Sequence, residues 1–223
     1  MGLGLAIVVI LLIGLVLGFM VIQATFAARK WRQVIAAGDR DALEEILDMT
    51  FEAWRGSRPP RGMPPADWRA LHTAAVVAAD RDRCRVSLIA DPDVRVVGGR
   101  RVEAGSAADV ARRAAVRMAE RLLYDIPHVR FEEVQVDVFA EYRAPDGASQ
   151  SACLLTTRAL RADSAQLDWD ADAVGILATW RTREANDAAG IDPEGDALIT
   201  EAEIDAVRAA EETLRRSRGG EGG

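Results

Sequence analysis

Five oxygen-bearing side chains, Asp192, Glu194, Asp196, Thr200 and Glu203, fall within twelve residues near the C-terminus, with the Leu198 carbonyl among them. Oxygen donors so spaced could hold a hard divalent cation. Thr200 and Glu203 also have the spacing of a helix capping box, a reading that leaves the upstream acids in a solvated turn. This second reading is the favoured one. Arg113, Arg117 and Arg121 recur at four-residue steps with Arg112 beside them, a basic helix face suited to solvent or to anionic lipid headgroups. Asp137 is a carboxylate within an alternating strand. Its place between Val136 and Val138 puts it on the polar phase of a strand, so a solvent-facing role is expected. A zinc site would need every one of Cys84, Cys153, His72 and His128, and no two of these are clustered. Buried, reduced thiols are the expectation. Lys30 is the one lysine in the chain, which removes Schiff-base chemistry, a Walker A loop and lysine-dependent nuclease motifs.

Residues 192–203 (DPEGDALITEAE) resemble an EF-hand calcium loop, with the five side chains at its positions one, three, five, nine and twelve and Ile199 at the apolar eighth. The resemblance implies calcium as a ligand. It covers twelve residues, lacks a second loop, and has Ala197 where the family uses glycine. Glu120 on a helix and Asp137 on the next strand weakly resemble a PD-(D/E)xK nuclease core. The following strand, Cys153 to Arg158, lacks the carboxylate and lysine that such a core needs. The start GDRDALEEIL, with the later helix and strands, is weakly similar to cone-shaped domains of the nuclear-transport-factor and ketosteroid-isomerase type. That likeness implies a pocket in a curled sheet, where Asp137, if it points inward, would be the candidate base, since burial raises a carboxylate pKa.

The elements that must position these groups follow from hydrophobic period. Leu43, Ile46, Leu47, Thr50, Phe51 and Trp54 form one helical stripe. Gly56 to Pro65 is a proline-rich loop, and a helix is predicted from Ala66 to Ala79. Cys84 to Ala90 alternates as a strand, and Gly98-Gly99 predicts a tight hairpin or a sharp bend between two short apolar segments. Ser106 and Asp109 cap a helix running to Tyr124. Two long strands follow, with a bulge predicted near Glu132 and Glu133 and a Pro-Asp-Gly turn at 145–147. Residues 172–186 fit either a helix or a strand, and their length favours a helix. A last helix is predicted from Thr200 to Arg216.

From Gly2 to Ala28 no residue is charged, enough to cross the ~30 Å hydrocarbon layer at about 1.5 Å per residue. A cleaved signal peptide is the competing reading. The run is long for one, and no Lys or Arg precedes it, so a signal-anchor is favoured. Arg29, Lys30 and Arg32 follow the run, which by the positive-inside rule predicts an outside N-terminus and a cytoplasmic C-terminal domain on an inner or plasma membrane. Gly14 and Gly18 form a small-residue pair through which another membrane protein, or a second copy, could pack.

The expected organisation is therefore a transmembrane anchor (1–28), juxtamembrane helices (29–55), a Pro-rich loop (56–65), an α+β domain (66–188), an acidic helix-loop-helix appendage (189–216) and a disordered tail (217–223). The fold class is α+β, with helices packed on a mainly antiparallel sheet. Residues 163–214 carry fourteen acids against three arginines, and the whole chain has a formal charge of -7, which argues against nucleic acid as a partner. A single-pass, non-catalytic accessory or scaffold subunit of a membrane protein complex is the expected function. A tethered small-molecule-binding or enzymatic domain and a calcium-responsive membrane adaptor are the alternatives.

Overall fold

The computed structural model describes residues 40–143, 147, 149–186, 190–200, 202–206, 209–210 and 213. The proposed anchor, Gly14, Gly18 and the tail lie outside the described residues. Among the described residues no helix is long and apolar enough to cross a membrane.

Helix α1 (Arg40–Gly56) buries Leu43, Ile46, Leu47, Thr50 and Phe51, the stripe that its period predicts. Helix α2 (Pro65–His72) starts on a proline, whose missing amide costs nothing in a first turn. It stops seven residues before the predicted end because the chain turns into strand β1 (Ala75–Ala79), so Val76 contributes to a sheet edge. Strand β2 (Arg83–Ile89) follows, then a separate hairpin of β3 (Asp93–Val97) and β4 (Arg100–Gly105). Gly98 and Gly99 have φ of 58° and 79°, the left-handed pair that a two-residue hairpin turn requires.

Helix α3 (Ala107–Tyr124) opens with the predicted capping box: the Ser106 hydroxyl accepts from the Asp109 amide, and the Asp109 carboxylate accepts from the Ser106 amide. Strands β5 (Glu133–Arg143) and β6 (Ser149–Leu160) form the predicted antiparallel pair. The register shift of this pair falls between Val138 and Phe139, where Leu154 of β6 is the extra residue, not at Glu132 and Glu133. Short helices α4 (Arg161–Ser164) and α5 (Ala173–Leu177) precede β7 (Arg181–Glu184). Residues 172–186 thus hold a helix and then a strand. Asp172 caps only a short helix, and β7 gains ladder bonds along β6 from Leu155 to Arg158 that outweigh helical continuation.

The five-stranded sheet has the order β1-β2-β5-β6-β7 and is mixed. Three pairings are antiparallel, while β2 and β5 run parallel, joined through the hairpin and α3. The fold is α+β, with helices on a mixed sheet.

Period-two alternation gives this sheet two chemically distinct faces. Cys84, Val86 and Leu88 stand beside Val134, Val136 and Val138 on one face, which packs against Val110, Ala111, Ala114, Ala115, Met118 and Leu122 of α3. The opposite face presents Arg83 and Arg85 from β2, Gln135 and Asp137 from β5, Thr156 and Arg158 from β6, and Arg181 and Arg183 from β7. The segment 190–200 lies on that second face, so residues read as the start of an appendage are packed against the domain.

Candidate functional site

On the arginine-bearing face, Asp137 is only 1 % exposed and fully engaged. Its Oδ2 accepts from Arg85 Nε at 2.7 Å, and its Oδ1 accepts from Gln135 Nε2 at 2.7 Å and Thr156 Oγ1 at 2.5 Å. Burial opposes the charge on Arg85, yet the hydrogen bonds and ion pairs to Glu194 and Asp137 hold its guanidinium above its ordinary pKa. The expectation of a solvent-facing Asp137 is therefore corrected. A strand's polar phase meets solvent only when no other segment covers it, and here residues 190–200 cover it. A carboxylate with both oxygens committed to cation and donors is an acceptor in a buried pair rather than an available base.

Each residue of the calcium-loop resemblance has a defined place on this face. Asp192 Oδ1 accepts from the Glu194 amide at 2.9 Å. Glu194 reaches Arg85 at 2.5 Å, and Asp196 lies 3.7 Å from Arg158. Arg83 donates to the Leu198 carbonyl at 2.8 Å, while the Leu198 amide donates to Gln135 Oε1 at 2.6 Å. Thr200 and Glu203 form the capping box, and Glu203 also lies 3.5 Å from Arg83. Hydrogen bonds from the Thr200 amide and hydroxyl hold the Glu203 carboxyl below its ordinary pKa. Ala197 adopts extended backbone at φ -69°, which any residue can take, rather than the positive φ of a calcium-loop glycine. The Glu194, Asp196 and Glu203 carboxylates point to arginines, and that of Asp192 to the Glu194 amide. Among the described residues no group of three or more His, Cys, Asp or Glu could hold a metal ion.

The arginines of α3 are likewise directed into the fold. Arg113 makes a two-pronged pair with buried Asp67, both contacts at 2.7 Å, and Arg117 pairs with Glu120 and Asp170. Arg112 joins Glu184 at 2.6 Å. Arg121 lies between the Trp54 and Trp68 rings, 5.4 and 5.5 Å from their centroids, and its buried Nη1 has no acceptor among the described residues. Burial lowers its pKa. Arg113, Arg117 and Arg121 line part of a cleft of about 700 Å³ walled by residues 60–64 and 169–173. Glu120 belongs to that cleft on the helix side of the sheet and Asp137 to the opposite face, so the two carboxylates that would pair in a nuclease core are separated by the sheet.

Comparisons of the chain with protein-family models, curated proteins and solved structures gave no match.

His72 packs on Trp68 at 4.4 Å between ring centroids, and His128 occupies a left-handed turn at φ 66°. Cys84 and Cys153 are buried free thiols, and burial raises the pKa of both, Cys153 to about 12. Neither suits a nucleophile.

Among the described residues the most open apolar surface is the β3–β4 hairpin. Val94, Val96, Val97 and Val102 are 46, 71, 63 and 47 % exposed, although valine usually buries. The pairing Val94–Glu103 and Val96–Arg101 fixes one face, while Arg95–Val102 and Val97–Arg100 fixes the other. From Arg95 to Val102 the tip carries three arginines and no acid. On one side a groove lies between the hairpin and Arg69 of α2. The double glycine announced the hairpin, but the sequence held no sign that its valines would lack cover.

Proposed function

We propose that this chain is a membrane-tethered, non-catalytic accessory subunit that docks on a partner protein through the β3–β4 hairpin. The single observation behind the reading is the set of four exposed valines on a two-stranded ribbon whose tip is cationic. Isolated hairpins are marginal in water, and apolar residues displayed on one gain most by entering an interface. Charge complementarity favours a partner with an acidic rim around an apolar patch. The charge-free stretch 2–28 supports tethering, which would hold the hairpin at high local concentration beside a membrane partner.

Full-length protein, solubilised in mild detergent from its native membrane, tests this reading by native mass. Burying one valine contributes about 1.5 kcal/mol, so Val96→Ser is expected to weaken the complex roughly tenfold. The domain's melting temperature should stay unchanged, because Val96 is largely exposed. A wild-type chain that runs as a lone monomer, or a V96S/V97S variant that keeps the wild-type mass, would overturn the proposal. Protease digestion of the domain in intact spheroplasts would separately refute the cytoplasmic placement.

A further inference from the structure

The arginine face has a more specific ligand chemistry than the hairpin. Arg83, Arg85, Arg158, Arg181 and Arg183 rise from three strands of one sheet face, offset on that face by Glu133 and Asp137. The chain's own acidic segment sits on them. Its contacts are of three kinds: carboxylates on guanidinium groups, main-chain recognition and a small apolar anchor. Glu194 and Asp196 meet Arg85 and Arg158. Arg83, Arg85 and Arg183 donate to the carbonyls of Leu198, Ile199 and Asp192 at 2.8, 3.4 and 2.5 Å, and Gln135 accepts from the Leu198 amide. Leu198 and Ile199 bury against Ala78, in a cluster separate from the main core.

We propose that this face is a binding site for an acidic peptide segment of a partner protein, and that residues 190–206 are its built-in competitor. The carbonyls and the amide being read define the ligand as a peptide, since a nucleic acid offers no such main chain. The acids two residues apart, followed after one residue by two aliphatic side chains, define the pattern: acid-x-acid-x-aliphatic-aliphatic. Release of the segment is physically accessible because its hold consists of a few ion pairs and main-chain hydrogen bonds with an apolar anchor of two buried residues, whereas the other sheet face is sealed by α3. Tethering supplies the segment at about millimolar effective concentration, so an outside peptide must bind tightly or the segment must first be weakened.

The test uses full-length protein in detergent and a fluorescein-labelled peptide with the sequence of residues 190–206. A Glu194→Gln, Asp196→Asn, Glu203→Gln variant, whose own segment is weakened, is expected to bind the peptide at least tenfold more tightly than wild type. Adding Arg83→Ala and Arg158→Ala should abolish that gain. Hydrogen exchange on the wild type gives a second readout independent of the variants: saturating unlabelled peptide should speed exchange at 191–199 and leave β5 protected. Equal peptide affinity of wild type and the triple variant, retention of binding without Arg83 and Arg158, or unaltered exchange would each overturn the proposal. Displacement of the labelled peptide by a short single-stranded oligonucleotide at equal concentration would also overturn it, reassigning the face to polyanions in general. Binding through the hairpin predicts none of these outcomes, so the two readings fail separately.

Discussion

Replacing Asp137 by alanine removes the acceptor for Arg85 Nε, Gln135 Nε2 and Thr156 Oγ1 in one step. Truncating one member of a buried ion pair costs about 3–5 kcal/mol, because the remaining charge stays desolvated. Arg85 keeps Glu194, whose side chain is 40 % exposed, so part of the charge remains compensated and about 3 kcal/mol is expected. For a domain of this size that loss corresponds to a fall in Tm of roughly 6–12 °C. Glu194→Ala removes the other partner of the same guanidinium from a solvent-exposed position, where a pair is worth roughly 1 kcal/mol or less. Thermal unfolding of full-length protein, followed by the near-ultraviolet signal of its tryptophans, measures both. The ordering is the critical result. A D137A variant melting within 2 °C of wild type, or an E194A variant losing more than D137A, would refute the assignment of Asp137 as the buried anchor of the face.

Gly190 combines a positive φ of 76° with an added Cβ that would lie 3.0 Å from both the Ala152 Cβ and the Cys153 carbonyl. Gly190→Ala should therefore loosen residues 191–199, seen as faster hydrogen exchange there with the α3 core unaltered. Cys153, raised to about 12, and Cys84, raised further, should resist alkylation at pH 8 and react only on unfolding; rapid labelling of either under native conditions would contradict their burial. Ser106→Ala should cost about 1 kcal/mol through loss of the α3 cap. Hydrogen bonds from Ser106 hold the Asp109 carboxyl below its ordinary value of 3.8, so its contribution is complete above that value and fades as pH falls through the lower folded one. The gap between the wild-type and S106A stability curves should accordingly narrow in strong acid, where the hydroxyl's bond to the carboxylate is lost but its bond from the Asp109 amide remains, which acid titration of unfolding checks.

Where a feature depends on near neighbours in the chain, it was legible. The stripe of α1, the Ser106–Asp109 cap, the Gly98-Gly99 hairpin and the β5–β6 pair all follow from period or turn chemistry. The parallel seam between β2 and β5 was not legible, because register partners such as Val86 and Val136 are joined only through a distant helix. The end of α2 was missed for a related reason: Val76 fits a helix stripe and a strand equally well, and its partner Val86 decides. The arginine face escaped notice because alternating Arg, Gln, Asp and Thr look solvated until a segment many residues away covers them. Reading residues 172–186 as helix also hid Arg181 and Arg183 from the sheet. The Thr200–Glu203 cap was readable, whereas the targets of Glu194 and Asp196 required the fold.

The parallel seam also governs how quickly the molecule can assemble. Strands β1 and β2 close over a short turn, as do β5 and β6, but joining the two pairs requires Cys84 to find Val134 across the hairpin and all of α3. Closing so long a connection must precede the reward of most sheet contacts, so nucleation depends on α3 docking both valine rows at once. Core-thinning changes such as Val136→Ala should slow refolding, while changes at the hairpin tip leave that rate untouched, as stopped-flow fluorescence would reveal.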